Sequence, residues 1–331
     1  MRTALALGLA GTVVTRTLLR RRRRIDLRDR VVVVTGGSRG LGLVLARELV
    51  RKGARVAICA RDAAELERAR VELAIMGGTV YAAPCDVTER DELIRFLIEA
   101  RDELGPIDVL INNAGVIQVG PLETMTIDDY ERAMKTHLWG PLYAMQAVLP
   151  EMRARKSGRI VNIASVGGKL AIPHLTPYSA SKFALYGLSS GARAELVSDN
   201  IYVTTVCPGL MRTGSPRHAL VKGDHKAEYA WFDIMDSLPL TSMNAERAAR
   251  QILRACEFGD GEVTLSLQAK IAAKLHALAP NLVQDLMAVA NRLLPTGTSR
   301  VSVEGKDAES ALAPSMLTSL SDAAARRNNE V

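Results

Sequence analysis

Two alternating patterns of hydrophobic and polar positions run through most of this chain. The first is a set of short, continuous apolar runs: "RVVVVTGG", "ARVAICA", "VYAAPCD", "DVLINNAG", "GRIVNIAS" and "IYVTTVCPG". They run into Gly, Asp, Asn or Ser, and apolar stretches of this length suit parallel strands covered on both faces. The second is a helical repeat, as in "LGLVLARELVRKG" and "RDELIRFLIEARDELG", with Gly53 and Gly105 as stops. Together they predict an α/β fold over residues 26–265: a doubly wound parallel sheet flanked by helices, with a ligand site at the carboxyl ends of its strands.

Both flanks depart from this alternation. In residues 266–295, Ile271, Leu275 and Leu278, then Leu282, Leu286, Val289 and Leu293, recur at helical spacing with Pro280 between them. The pattern predicts two short amphipathic helices packed on the main domain, on a second subunit or against a membrane. Residues 296–331 are rich in Ser, Ala, Gly and Asn and are expected to be a largely disordered tail. Residues 1–25 begin with an uncharged stretch from Thr3 to Thr15 and end in Arg20–Arg24. Thirteen helical residues reach only about 20 Å, short of a ~30 Å hydrocarbon core. The segment is therefore read as an interfacial anchor or a marginal span that holds the protein on the cytoplasmic side of a membrane. A cleaved signal peptide is the rival, but an arginine block stands where a small-residue cleavage site would be. A plain helix of a soluble cytoplasmic protein is the other alternative.

Composition changes this picture little. Hydrophobic residues make up 48% and charged residues 24%, an ordinary globular balance. The net charge of +7 owes five charges to Arg20–Arg24, so the remaining chain is nearly neutral and nucleic-acid binding is not expected. Cys59, Cys85, Cys207 and Cys256 lie far apart without histidines at ligand spacing, which predicts neither disulfides nor a metal site.

Candidate chemistry begins at the first strand, where "VVVVTGGSRGLGLVLARELV" joins a buried run to a helix through a glycine-rich turn. Gly36 allows the turn, Gly40 lets the backbone approach a pyrophosphate, and Gly42 permits close helix packing, while the helix N-terminus supplies amide donors. The spacing Gly36-xxx-Gly40-x-Gly42 differs from the common GxGxxG fingerprint. It resembles the TGxxxGxG turn of the short-chain dehydrogenase/reductase family in its compact single-domain form. "NNAG" (Asn112 to Gly115), "YSASK" (Tyr178 to Lys182) and "PGLMRT" (Pro208 to Thr213) follow in that family's order, over about 240 residues. The resemblance implies a Rossmann-type fold, a nicotinamide cofactor and a homo-oligomer. It also implies that Ser38, Arg39 and Leu41 in the turn, Asp86 and Val87 beside the adenine, and Asn113, Ala114 and Gly115 along the nucleotide contact the cofactor. Pro208, Gly209 and Thr213 would do so at the nicotinamide end.

The choice of nicotinamide cofactor follows from charge. An acid at the end of the second strand bonds a ribose 2′-hydroxyl and repels a 2′-phosphate. Here that position is Ala60, followed by Arg61, and Arg39 supplies a second guanidinium in the glycine turn. Two such forks suit a phosphate dianion, so NADP(H) is expected over NAD(H). A surface pairing of Arg61 with Asp62 or Glu65 is the alternative.

Tyr178 and Lys182 are four apart and so share a helix face. A phenol is a poor acid at neutral pH, its reference pKa being about 10, and an adjacent ammonium would stabilise its phenolate. By resemblance, Tyr178 is the general acid/base of carbonyl–alcohol interconversion, Ser165 holds the substrate oxygen, and Lys182 acidifies the tyrosine and binds the nicotinamide ribose. The family's usual asparagine in the preceding helix is replaced by His137 in "THLWG". His137 is read either as a member of a proton relay or as a residue packed near Trp139. The segment after Thr213 falls where the family places a mobile lid. Its Tyr229, Trp231, Phe232, Ile234 and Met235 suggest a lipophilic carbonyl or alcohol substrate, or packing of the lid on the core. A catalytically silent NADP-binding scaffold or redox sensor is the alternative function.

Overall fold

The computed structural model of the chain describes residues 17–331. Seven parallel strands form the central sheet: β1 (Val31–Thr35), β2 (Arg55–Ala60), β3 (Thr79–Pro84), β4 (Ile107–Asn112), β5 (Gly158–Ile163), β6 (Ile201–Cys207) and β7 (Glu262–Thr264). Their spatial order is β7-β6-β5-β4-β1-β2-β3, and the order reverses beside β1, where a doubly wound sheet opens a crevice. β1, β5 and β6 are buried along their whole length because both faces are covered. One core holds Val32, Val34, Leu43, Leu49, Ile58, Ile252 and Leu253 beneath helices Gly40–Arg51 and Ala245–Phe258. The other holds Val31, Val33, Phe96, Leu97, Met145 and Val148 beneath helices Arg90–Leu104 and Gly140–Arg155. The predicted fold class is the observed one.

The flanks differ from expectation in instructive ways. Residues 1–16, most of the expected anchor, lie outside the described residues. Among the described residues no helix is long and apolar enough to cross a membrane. Part of the arginine run docks on the domain: Arg20 pairs with Asp260 at 2.6 Å, Arg23 lies over Tyr202, and Arg24 lies over Phe258. The two expected C-terminal helices form at Leu267–Leu278 and Pro280–Asn291, and within them only Ala269 and Val283 are buried.

The tail expected to be largely disordered is instead built into the molecule. Val303–Glu304 pairs antiparallel with Leu220–Val221, which pairs with Gln118–Val119 in a small three-stranded sheet. Helix Ser319–Arg327 buries Ser321, Ala324 and Ala325. The composition that reads as disorder here satisfies hydrogen bonds far away in sequence, as Asn328 and Asn329 do below.

Candidate active site

Strand β5 delivers Ser165 to the carboxyl end of the sheet. Its backbone is extended, and its Oγ accepts the Gly167 amide at 3.0 Å to start the 3₁₀ turn Val166–Gly168. The Val166 amide donates to the Pro208 carbonyl at 2.7 Å, tying this turn to the loop after β6. A β-carbon at Gly168 would stand 2.6 Å from the Lys182 carbonyl, so the turn seats directly on helix Thr176–Leu196. That helix presents Tyr178, Ser181 and Lys182 inward.

Lys182 is buried, its Nζ donating to the Ile163 carbonyl at 2.8 Å and lying 5.6 Å from the centre of the Tyr178 ring. Burial pushes its amine down to about 7. Burial also raises the Tyr178 phenol, and hydrogen bonding with Ser165 pulls it back.

His137 occupies a π-helical turn, Lys135–Trp139, which turns its ring into the protein, where it is fully buried. Such one-turn widenings recur at functional sites. Nε2 accepts the Val116 amide at 3.1 Å, leaving Nδ1 as the protonated nitrogen, 2.7 Å from Ser181 Oγ. Ser181 Oγ in turn donates to the Tyr178 carbonyl at 2.7 Å. The ring meets Tyr178 edge-on, with centroids 5.5 Å apart. Burial first, and Lys182 second, hold the imidazole well below its usual pKa, so it is neutral. Trp139 is not its packing partner: it is 44% exposed and stacks on Tyr143. His137 thus braces the loop after "NNAG" against the start of the Tyr178 helix.

The glycine turn lies at the end of β1. Gly36 has φ +65°, and a β-carbon there would stand 2.8 Å from the Ala114 Cα; one at Gly42 would stand 1.9 Å from the Gly36 carbonyl oxygen. Only glycine allows this closeness. Asn113 Nδ2 donates to the carbonyls of Thr35 and Gly36 at 3.1 and 3.0 Å, and Thr35 Oγ1 accepts the amides of Asn113 and Ala114. Asp86 accepts from Thr88 in the turn after β3, Val87 is buried, and Gly115 packs beside His137. Arg61 is exposed. Asp62 caps the following helix, and Glu65 binds Arg39 at 2.8 Å and Ser38 at 3.3 Å, so neither acid holds Arg61.

The chain's own tail lies in this glycine turn. The Gly40 amide donates to the Asn328 carbonyl at 2.9 Å. Glu330 Oε1 is 2.5 Å from where a Gly40 β-carbon would be, and its Oε2 is 3.3 Å from Arg39 Nε. Asn328 Nδ2 donates to the Thr213 carbonyl, and Gly209 adjoins Ser266.

Sequence reading missed Glu330 altogether, since nothing local marks it. It also missed a buried polar network in which Asn112 Nδ2 donates to Asn162 Oδ1, Asn162 Nδ2 to Ser189 Oγ, and Thr205 Oγ1 to Ser189 Oγ. The signal for that network was present as asparagine and threonine inside runs otherwise apolar. The expected aromatic cluster is split: Phe232 and Trp231 pack near Tyr178, whereas Tyr229 packs with Ala308 and Ala313 of the tail.

Comparison with known proteins accords with this geometry. A family model described as short chain dehydrogenase matches residues 30–220. "Dehydrogenase/reductase SDR family member 7B" of Danio rerio is 35% identical over 292 residues, covering 86% of this chain and 93% of its own. Ketoacyl reductase HetN of Nostoc is 37% identical over 183 residues, covering 55% of this chain and 64% of its own. A crystal structure of actinorhodin polyketide ketoreductase with NADPH superposes with a TM-score of 0.64 at 31% identity, over 71% of this chain and 95% of that one. A model match across more than half the chain, a relative alike along nearly all its length, and a sheet that superposes on a ketoreductase all point one way: this oxidoreductase belongs to the short-chain dehydrogenase family.

Proposed function

We propose that the protein interconverts a carbonyl and an alcohol on a lipophilic substrate, with NADP(H) as cofactor and Tyr178 as general acid/base. The observation that carries this reading is the convergence of Ser165, Tyr178 and buried Lys182 where β5 ends. The glycine turn, Asn113 to Gly115 and Thr213 would hold the cofactor, which supplies the hydride. Ser165 Oγ holds the substrate oxygen, and the Tyr178 hydroxyl gives that oxygen its proton in reduction and takes it back in oxidation. Lys182 Nζ, beside the ring, stabilises the phenolate that remains. The couple from His137 through Ser181 to the Tyr178 carbonyl makes His137 a positioning residue.

Two further features support the details. Arg61, exposed at the end of β2 after Ala60, is open to a 2′-phosphate, while Arg39 is already engaged by Glu65 and Glu330. A cavity of about 710 Å³ lies between segment 170–176 and the two C-terminal helices, lined by Leu122, Leu170, Ile172, Phe183, Val283 and Met287. It opens beside the stretch joining Ser165 to Tyr178 rather than over the tyrosine, as an outer berth for an apolar substituent.

Consumption of NADPH with a panel of lipophilic ketones and aldehydes tests the reading. Tyr178→Phe should lower kcat/KM by about 10²–10⁴. Equal rates in the two proteins would refute it. The silent-scaffold alternative draws support from the tail lying in the glycine turn, and NADPH bound without turnover across the panel would favour it.

A further inference from the structure

The last residues of the chain are held at the glycine turn by a set of hydrogen bonds and ion pairs. Arg47 donates to Asn328 Oδ1 and to the Arg327 carbonyl at 3.0 and 2.7 Å. Asn329 Nδ2 donates to the carbonyls of Ser38 and Glu65, both at 2.9 Å, and Asn329 Oδ1 accepts from Arg68 at 2.8 Å. Ala325 fills the space at Gly214, where a β-carbon would stand 2.4 Å from its Cα. Glu330 follows with its side chain 3% exposed, 3.3 Å from Arg39 and 3.2 Å from His218.

Two of these groups resemble a phosphate chemically. The Asn328 carbonyl takes the Gly40 amide, a donor in the first turn of helix Gly40–Arg51. The Glu330 carboxyl group lies against the face of Gly40 that lacks a side chain, at the N-terminal end of the same helix. A helix N-terminus of this kind takes acceptor oxygens, and here they are the chain's own. A dinucleotide's pyrophosphate needs the same amide and the same space.

We propose that residues 319–331 are an autoinhibitory strap. Asn328 and Glu330 stand in for the pyrophosphate at the glycine turn, so the docked strap and the bound cofactor exclude one another. The proposal rests on the reading that a nicotinamide dinucleotide binds at this turn. Loading then requires the strap to leave, and the apparent affinity is the intrinsic one reduced by the fraction of molecules with the strap released. A strap released in about one molecule in ten weakens binding about tenfold.

Titration of NADPH and NADH fluorescence tests this without turnover. The proteins are the full chain, a chain ending at Thr318, and a full-length variant with Asn328→Ala and Asn329→Ala, which guards against misfolding of the shortened chain. Both altered proteins should bind at least one dinucleotide about tenfold more tightly. A synthetic peptide of residues 319–331 should weaken binding to the shortened chain. In the full chain, saturating cofactor should speed amide exchange across residues 319–331. Unchanged or weaker affinity in both altered proteins, or slower exchange in the tail on cofactor binding, overturns the strap and leaves the cofactor reading standing. No dinucleotide binding in any of the three removes that reading and the strap with it.

Discussion

His137 and Lys182 are both buried titratable residues, and burial lowers the pKa of each with different consequences. His137 has both ring nitrogens committed, one to Val116 and one to Ser181, which suits support better than proton transfer. His137→Phe should therefore lower kcat at least tenfold while moving the dissociation constant of NADPH less than twofold. His137→Asn, restoring the residue usual in the family, should recover part of the rate; equal kinetics in all three proteins would remove the positioning role. Lys182 costs the fold stability, because its amine is pushed from 10.5 to about 7 by burial. Between those values the unfolded chain keeps a proton that the folded chain releases. The penalty is thus full below pH 7 and fades as pH rises toward 10.5. Lys182→Met should raise the melting temperature by a few degrees at pH 6–7, less at pH 9, while abolishing turnover. Thermal denaturation across pH checks this.

Elements close to the site are positioned by buried polar contacts as much as by apolar packing. The strand Leu220–Val221 leads to Lys222, whose Nζ meets Asp129 Oδ2 at 2.5 Å in a pair that is 4% and 1% exposed. Asp129 also accepts the Thr126 amide and hydroxyl, capping helix Ile127–Met134. One carboxylate thereby ties the end of strand Leu220–Val221 to helix Ile127–Met134. Burial raises the Asp129 pKa, but Lys222 and Thr126 outweigh it and hold the group below its usual value of 3.8. Its contribution is present above pH 3.8 and is lost as pH falls through the lowered value. Asp129→Asn leaves Lys222 buried without a countercharge and should cost about 3–5 kcal/mol by urea denaturation at pH 7. The difference from the parent protein should shrink at pH 3.

Across the whole molecule, what could be read in advance is what repeats locally. The strand and helix patterns, the glycine spacing around Gly36 and the four-residue step from Tyr178 to Lys182 each follow from backbone geometry over a few residues. The tail does not: Asn329 finds Ser38 and Glu65 through single side-chain contacts across more than half the chain, which no periodicity announces. The family match likewise stops at residue 220, before both C-terminal helices and the strap. Burial pushes the Glu330 carboxyl up to about 8, with Arg39, Glu65, Arg217 and His218 as the charged and titratable groups around it. Because the docked form holds its proton more firmly than a free glutamate, docking weakens as pH rises from about 4.5 toward 8. Amide exchange in residues 319–331, corrected for its intrinsic rate, should be faster at pH 8 than at pH 6, and NADPH should bind more tightly.

The small sheet of Gln118–Val119, Leu220–Val221 and Val303–Glu304 joins a core loop, the segment that leads to helix His225–Ser237 and the tail in one set of hydrogen bonds. Ser237, at the end of helix His225–Ser237, accepts the Ser321 amide, making a second rivet between the same two parts. The helix His225–Ser237 and the tail that lies at the glycine turn are therefore fastened to one another. Removing residues 319–331 takes away the Ser321 contact to Ser237, so amide exchange in helix His225–Ser237 should quicken in the chain ending at Thr318.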